Sequence, residues 1–214
     1  MDAKIEFITC VNQDIWDAYA VNSLDTWQHE PVIYWEPEDT IMAWQQMRDY
    51  WRPLKPQPDF HHTWERFSHK VEHQCYHLEH TTADYVVWLD ADVTQIKQIS
   101  DEQLLGLMPT EEYMCSYLGR GTNYHPETGW IAWNCKHPEL KGFVRAWKAC
   151  YHQGLLFHMD EWHDAYVWDK LMRIRDVPRQ NLCEAPHKPG EAFGRSQLKE
   201  YYKHYKGPRK KDIK

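Results

Sequence analysis

Two aspartates, Asp90 and Asp92, directly follow the most hydrophobic segment of the chain, residues 85–89. That segment is continuously apolar rather than alternating, which is typical of a strand covered on both faces, as in a parallel sheet. In open α/β sheets, ligands bind outside the carboxyl ends of the strands. Paired carboxylates in that position suit Mg²⁺ or Mn²⁺, whose coordination is commonly completed by substrate phosphates. The alternative is a solvated turn, where aspartate is common in its own right.

The C-terminal segment contains a second group of residues that suit this chemistry. His204 carries an imidazole that can bind Mn²⁺ beside carboxylates, and Gly207 allows a ligand to approach the backbone closely. Cations that match the charge of a diphosphate follow closely, namely Lys206, Arg209 and Lys210. The alternative is a frayed and solvated basic terminus.

Charge is distributed unevenly along the chain. The 25 basic and 32 acidic residues give a net charge of −7. Residues 199–214 contain seven basic and two acidic residues, a local charge of +5, so residues 1–198 carry −12. An acidic body is not expected to coat nucleic acid or a membrane over a wide face. The basic end still offers a small positive site for a small anion.

Composition indicates an ordinary globular protein. A length of 214 residues, 42% of them hydrophobic, predicts one domain with a substantial core. No export signal and no apolar run of about 20 residues is visible, and the six cysteines form no C-x-x-C pair, so we expect a reduced, cytoplasmic protein without a membrane span. The 12 Trp, 13 Tyr and 6 Phe residues fit either an aromatic core or a surface that stacks sugars or bases.

The elements that must position these residues alternate between strand and helix. Strand-like segments are predicted at residues 5–11, 32–35, 85–89, 113–118 and 130–133. Helical segments are predicted at 15–27, 40–51, 62–80, 139–153 and 161–174, with a loop and a short helix at 96–108. This alternation predicts an α/β fold with a mainly parallel sheet.

Histidines recur in the helix predicted at residues 62–80. His69, His73 and His77 are spaced four residues apart, which places them on one face. A surface metal stripe is one interpretation, but no Cys or Asp partners occur at the spacing of a structural zinc site. A polar, solvated helix face is the expectation.

Together these features resemble the nucleotide-sugar glycosyltransferases of GT-A fold. The string Leu89-Asp-Ala-Asp92 matches the L-D-A-D that these enzymes place after a buried strand in mid-chain. His204, Gly207 and Lys210 match the C-terminal H-x-x-G-x-x-K of the glycogenin-like and galactosyltransferase-like retaining members. The chain departs from those members where a Pro-Trp pair often follows the lysine, because Lys211 and Asp212 stand there.

The resemblance implies a single Rossmann-like GT-A domain over residues 1–198, with residues 199–214 closing the donor site. It implies Mn²⁺ or Mg²⁺ held by Asp90, Asp92 and His204, with His187 as a rival ligand that no lysine follows at the motif spacing. The donor would be a UDP- or GDP-linked sugar. The residues implied for donor binding are Thr9, Cys10, Val11, Arg66, Lys70, Asp90, Lys206, Gly207, Arg209 and Lys210.

Two further segments resemble the acceptor side of these enzymes. A polar turn before an apolar strand contains Thr128, Gly129 and Trp130, which we expect near the acceptor. The candidate catalytic carboxylates are Asp164, Glu161 and Glu127, with Asp160 as a further acid in the same segment. Helix capping is the alternative role for acids at the start of the helix predicted at 161–174.

The function implied is metal-dependent transfer of a hexose or pentose from a nucleotide diphosphate to an acceptor. The acceptor can be a saccharide or a modified base in DNA, and the tail motif favours retention of configuration. A binding protein that keeps the fold without turnover is the alternative. A Gly-rich phosphate loop, which a phosphoryl- or nucleotidyl-transferase would need, is absent after the first strand.

Overall fold

A six-stranded sheet lies at the centre of the protein, with strand order β2-β1-β3-β6-β5-β7. The computed structural model describes residues 3–121, 124–184 and 191–213. The strands of this sheet are β1 (Ile5–Asn12), β2 (Val32–Glu36), β3 (Tyr85–Leu89), β5 (Cys115–Leu118), β6 (Glu127–Asn134) and β7 (Arg179–Asn181). A separate pair is formed by β4 (Val93–Gln95) and β8 (Tyr202–His204).

Most strands of the central sheet point the same way, which confirms the predicted α/β architecture. Strand β1 is parallel to β2 and β3, and β5 is parallel to β7. Strand β6 runs antiparallel to both of its neighbours, β3 and β5. The reversed direction brings the first residues of β6 to the carboxyl end of β3, where the Asp90 amide donates to the Gly129 carbonyl at 3.0 Å.

Helices cover the sheet and enclose two hydrophobic clusters. They are α1 (Met42–Trp51), α2 (Trp64–His80), α3 (Asp101–Leu105), α4 (Leu140–His152) and α5 (Asp164–Ile174). A helical segment over residues 13–24, interrupted by the π-helical stretch Trp16–Ala20, follows β1. Much of the tryptophan content builds the core, since seven tryptophans are almost fully buried. Among the residues described, no helix combines the length and the apolar character needed to cross a membrane.

Several predicted boundaries shift because neighbouring segments decide them. Strand β6 begins at Glu127 rather than at residue 130, and all of its positions are buried. Helix α5 begins at Asp164 rather than at 161, because His163 caps it. The short strands β4, β7 and β8 were not predicted, since three residues carry too little alternation to indicate a strand.

The pair β4–β8 attaches the C-terminal segment to the residues that follow Asp92. Val93 lies opposite His204, and the Tyr205 amide donates to the Asp92 carbonyl at 3.0 Å. A 3₁₀ helix, Gly207–Asp212, comes next. The chain itself therefore fixes the tail beside the two aspartates, before any ligand is considered.

The histidine face of α2 packs inward, which corrects the expectation of a solvated face. His73 is fully buried and stacks on Tyr34 with ring centroids 4.7 Å apart. His77 bridges the Tyr34 hydroxyl and Glu6. Burial lowers the pKa of His73 to about 4 and that of His69 to about 3, so both rings are neutral near pH 7.

Candidate functional site

A cavity of about 940 Å³ opens at the carboxyl ends of β1 and β3. It extends from the end of β1 past the two aspartates to the start of α5. The predicted site residues that line it are Cys10, Arg66, Lys70, Asp90, Asp92, Glu127, Thr128, Asp164, His204, Lys206, Gly207 and Lys210. Residues from both ends of the chain thus meet at the edge where an α/β sheet binds its ligand.

The three predicted metal ligands converge. One ligand atom from each of Asp90, Asp92 and His204 lies within 4.8 Å of the other two, and His204 Nε2 is 2.9 Å from Asp92 Oδ1. Strand β3 delivers the aspartates, and the β4–β8 register delivers the histidine.

The chemistry of this group fits a divalent cation. Two carboxylates and an imidazole are ligands that suit Mn²⁺, and Mg²⁺ also accepts the oxygens. Among the described residues, Asp92 Oδ1 is buried and makes no hydrogen bond, although His204 Nε2 lies 2.9 Å from it. A buried polar atom without a partner is costly in a native protein, so it indicates a ligand that supplies the missing interaction.

Cations from the tail hold the nearby carboxylates ionised. Lys210 Nζ lies 2.7 Å from Asp92 Oδ2 and donates to the Tyr19 hydroxyl at 2.9 Å. Burial opposes ionisation of Asp92, but His204 and Lys210 lower its pKa below the usual range. Lys206 and Arg120 both bind Glu127. Burial opposes ionisation of Glu127 as well, yet His204 and these two cations lower its pKa to about 2.

Lys70 lies beneath the site and ties its carboxylates together. Its ammonium group is 2.8 Å from Asp90 Oδ1, 3.1 Å from Asp164 Oδ2 and 2.7 Å from the Thr128 carbonyl. Burial favours the neutral amine, but Asp164 and Asp90 outweigh it and raise the pKa of Lys70. Trp88 Nε1 also donates to Asp90 Oδ1, at 2.7 Å.

Asp164 presents an ionised carboxylate to the cavity. Its pKa is lowered, because Lys70, His163 and the Thr128 hydroxyl, which donates to Oδ2 at 2.7 Å, outweigh the effect of burial. The amides at the start of α5 favour a negative charge at this position as well. His163, rather than one of the acids, caps α5, since its Nδ1 accepts from the Tyr166 amide at 3.3 Å.

Glu161 belongs to a second cluster, at the rim of the cavity. His61 Nδ1 and His163 Nε2 lie 2.9 Å and 2.7 Å from its Oε2. The three ligand atoms are close enough to bind a metal. However, because His163 Nδ1 accepts from the Tyr166 amide, the proton of the neutral ring is on Nε2 and points at Glu161. The cluster is therefore a hydrogen-bonded carboxylate in this structure.

The end of β1 supplies the far wall of the cavity. Cys10 lines it together with Asn12, Asp14 and Glu36. Burial raises the pKa of Glu36 to about 7. The alternating side chains Thr9 and Val11 point to the opposite side of β1 and are buried away from the cavity. Of the three residues predicted at this strand end, the structure therefore brings only Cys10 to the cavity.

Other predicted residues also lie off the cavity wall. Trp130 is fully buried in the core beside Tyr202, 5.5 Å between ring centroids. Gly129 packs against the metal-ligand group, since a Cβ there would lie 2.9 Å from His204 Cε1. Arg209 is exposed and does not line the cavity. His187 lies outside the described residues.

Sequence reasoning missed several residues that line the cavity. Tyr19 accepts from Lys210, 191 positions away, which no local motif spans. Arg120 binds Glu127, seven positions away. Asn12 is the last residue of β1, and Asp14 lies in the helical segment that follows. The polar turn at the carboxyl end of a strand was the signal that could have identified those two.

No profile of a known protein family matches this sequence, and no curated protein matches it. Solved structures do match. One is a glycosyltransferase involved in glycosylation of the major capsid of PBCV-1, at 12% identity and TM-score 0.54, with 98% of each chain covered. The fold is that of the GT-A glycosyltransferases.

Two further structures share this fold. The galactosyltransferase LgtC, solved with donor and acceptor sugar analogues, matches at 11% identity and TM-score 0.54 over 95% of this chain and 87% of LgtC. Mouse xyloside xylosyltransferase 1 matches at 8% identity and TM-score 0.50, over 84% of this chain and 85% of that protein. At these identities the likeness concerns the fold, and the chemistry rests on the site.

Proposed function

We propose that this protein is a metal-dependent glycosyltransferase that moves a hexose or pentose from a UDP- or GDP-linked donor to an acceptor. The observation that carries the proposal is the convergence of Asp90, Asp92 and His204 beside Lys206 and Lys210 in one cavity. This set combines metal ligands with cations that match a diphosphate. A phosphate-binding role alone would not require the three ligands.

Asp90, Asp92 and His204 would hold the divalent cation. When bound, the cation neutralises charge that develops on the leaving diphosphate. Lys206 and Lys210 exchange their present carboxylate partners for phosphate oxygens, and residues 199–214 thereby close the donor site. Because the body of the chain is acidic, these lysines also offset its repulsion of the donor.

Asp164 is the carboxylate best placed to act on the sugar. It is ionised, lines the cavity and is held rigidly by Lys70 and Thr128. A fixed anion there stabilises positive charge that develops on the anomeric carbon as the glycosidic bond breaks. Glu127 binds Lys206 and Arg120. We therefore assign it to orienting these cations rather than to contacting the sugar.

Calorimetry of UDP and GDP with and without Mn²⁺ tests this function. We expect one nucleotide to bind only when Mn²⁺ is present. We expect Asp92→Asn to abolish this Mn²⁺-dependent binding. Asp25→Asn, an exposed aspartate outside the cavity, serves as the matched control and should bind as the wild type does. Release of UDP or GDP from the matching nucleotide sugars, in the absence of acceptor, then measures turnover.

Each outcome separates the hypotheses. Mn²⁺-dependent binding together with slow donor hydrolysis supports a transferase, since transferases commonly leak sugar to water. Binding without hydrolysis or transfer supports the non-catalytic alternative. Failure of both nucleotides to bind, with or without Mn²⁺, would overturn the proposal.

A further inference from the structure

Aromatic rings build the part of the cavity that contains Phe60, Phe67 and His163, which we call the mouth. Phe60 and Phe67 line it together with His163, and the Phe60 ring is 59% exposed. Phe60 packs edge-on against Phe67 at 5.4 Å and lies 6.0 Å from His163, centroid to centroid. Packing on these neighbours holds an exposed phenyl ring at the entrance. Among the described residues, Phe60 is the one strongly exposed large hydrophobic side chain that lines the cavity, so its ring is available to a ligand there.

A carboxylate with free acceptor capacity lies beside these rings. Glu161 Oε2 is bound by His61 and His163, whereas Oε1 makes no hydrogen bond to the residues that the structure describes and has His125 Nε2 3.9 Å away. The two histidines fix the direction of the carboxylate. They also help to lower its pKa, against the effect of burial. Glu161 is thus an oriented anion that can accept hydrogen bonds from hydroxyl groups.

The charges at this mouth discriminate between acceptor classes. Asp160, Glu161 and Asp164 follow one another closely in sequence. Of the two cations on the neighbouring helix α2 that line the cavity, Lys70 is already held by Asp90 and Asp164, whereas Arg66 leans over the Phe67 ring at 5.9 Å. Nucleic-acid binding depends on neutralising phosphates with several cations. An acidic mouth with one such cation therefore disfavours DNA and favours an uncharged ligand.

We infer that Phe60 and Glu161 form the acceptor subsite, and that the acceptor is an uncharged saccharide. One sugar ring stacks its C–H face on Phe60 while its hydroxyls donate to Glu161 Oε1. His163 connects the two positions, because its ring lies 6.0 Å from that of Phe60 and it caps the helix whose first residue is Asp164. A saccharide on Phe60 is thus directed at the carboxylate assigned to the reaction centre. This inference rests on the proposed function.

Saturation-transfer NMR with lactose, cellobiose and diacetylchitobiose, in the presence of Mn²⁺ and UDP or GDP, tests the subsite. A short single-stranded DNA is the probe for the competing acceptor class. Phe60→Ala and Glu161→Gln are compared with Tyr50→Ala, which removes an equally exposed ring outside the cavity. We expect Phe60→Ala to weaken saccharide binding about tenfold and Tyr50→Ala to leave it unchanged.

The outcomes are distinct from those of the proposed function. If the wild type showed no Mn²⁺-dependent nucleotide binding, the proposed function itself would be overturned. Nucleotide binding without any saccharide signal, or with a DNA signal instead, would overturn only the acceptor inference. So would saccharide binding that is as strong in Phe60→Ala as in Tyr50→Ala.

Discussion

The two ends of the cavity are built on different principles. At the donor end, the side chains of His204 and Asp92 are only 6% and 10% exposed and are held by strand pairing and charge. At the mouth, the His61 side chain is 60% exposed, and both His61 and Phe60 lie on a single 3₁₀ turn. The donor end is therefore part of the scaffold, whereas the mouth is a surface placed on it. Substitutions at the donor end should therefore affect stability, and substitutions at the mouth should affect acceptor specificity.

The largest expected effect is on stability at the donor end. Lys70→Met leaves two buried carboxylates, Asp90 and Asp164, without their shared cation. Breaking a buried ion pair on one side costs about 3–5 kcal/mol. Urea denaturation at pH 7 should show a loss of this size in the free energy of unfolding.

Lys148→Met is the matched control for this substitution. Its partner is Glu79, and both side chains are about one-third exposed. Exposed ion pairs contribute about 0–1 kcal/mol. If Lys70→Met destabilised the protein no more than Lys148→Met does, the donor end would not be held by buried charge as described.

The same contrast explains what could be predicted from the sequence. The aspartates follow a continuous apolar strand, and the tail spacing is local, so both carry patterns that a sequence reveals. The antiparallel direction of β6 depends on which strands it pairs with. The three-residue strands β4 and β8 likewise form only by pairing with each other. No local sequence pattern encodes either pairing. The family resemblance placed Lys70 at the donor site, but its carboxylate partners are 20 and 94 positions away.

The mouth was the least predictable part for the same reason. Phe60, His61 and Glu161 come from segments 100 residues apart that only the packing of α2 and α5 brings together. The composition left open whether the aromatic rings form a core or a stacking surface. The structure shows mostly core, with Phe60 as an exposed exception at the cavity.

A smaller effect is expected on metal binding when the packing behind His204 is changed. In Gly129→Ala, the new Cβ would lie 2.9 Å from His204 Cε1 and 3.2 Å from Asp90 Oδ2. Strand β8 prevents the histidine from retreating, so its ring must tilt. Changes in the groups that orient ligands weaken metal affinity about tenfold or more. Electron paramagnetic resonance of free Mn²⁺ measures this affinity directly.

Gly194→Ala provides the control for the added methyl group. A Cβ at Gly194 has no atom within 4 Å, and we expect wild-type Mn²⁺ affinity. Equal affinities of Gly129→Ala and Gly194→Ala would mean that the ligand group tolerates displacement, contrary to a rigid donor end.

As the pH falls, the stability contributed by the mouth should decrease at a higher pH than the stability contributed by the donor end. Burial lowers the pKa of His163 although Asp164 and Glu161 favour its charged form. The unfolded chain therefore binds a proton near pH 6.5 while the folded ring remains neutral, so stability falls as the pH drops below about 6.5. The donor carboxylates, whose pKa values are lowered, contribute stability that is lost only below about pH 4.

His163→Asn isolates this contribution, because asparagine also caps helices and does not titrate. We expect the free energy of unfolding to decline less steeply between pH 7 and 5 in the variant than in the wild type. His69 and His73 titrate alike in both proteins, so the difference between the two curves belongs to position 163. Parallel curves would show that the ring is not held neutral at the mouth.

The smallest effect on stability is expected for Phe60→Ala. The ring is mostly exposed and contributes mainly an edge contact with Phe67, so its removal should cost less than about 1 kcal/mol. Trp64→Ala, four residues along and fully buried, should cost about 3–5 kcal/mol in the same urea titration. A large cost for Phe60→Ala would make Phe60 part of the core. A small cost joined to loss of saccharide binding would place the ring where an acceptor, rather than the fold, requires it.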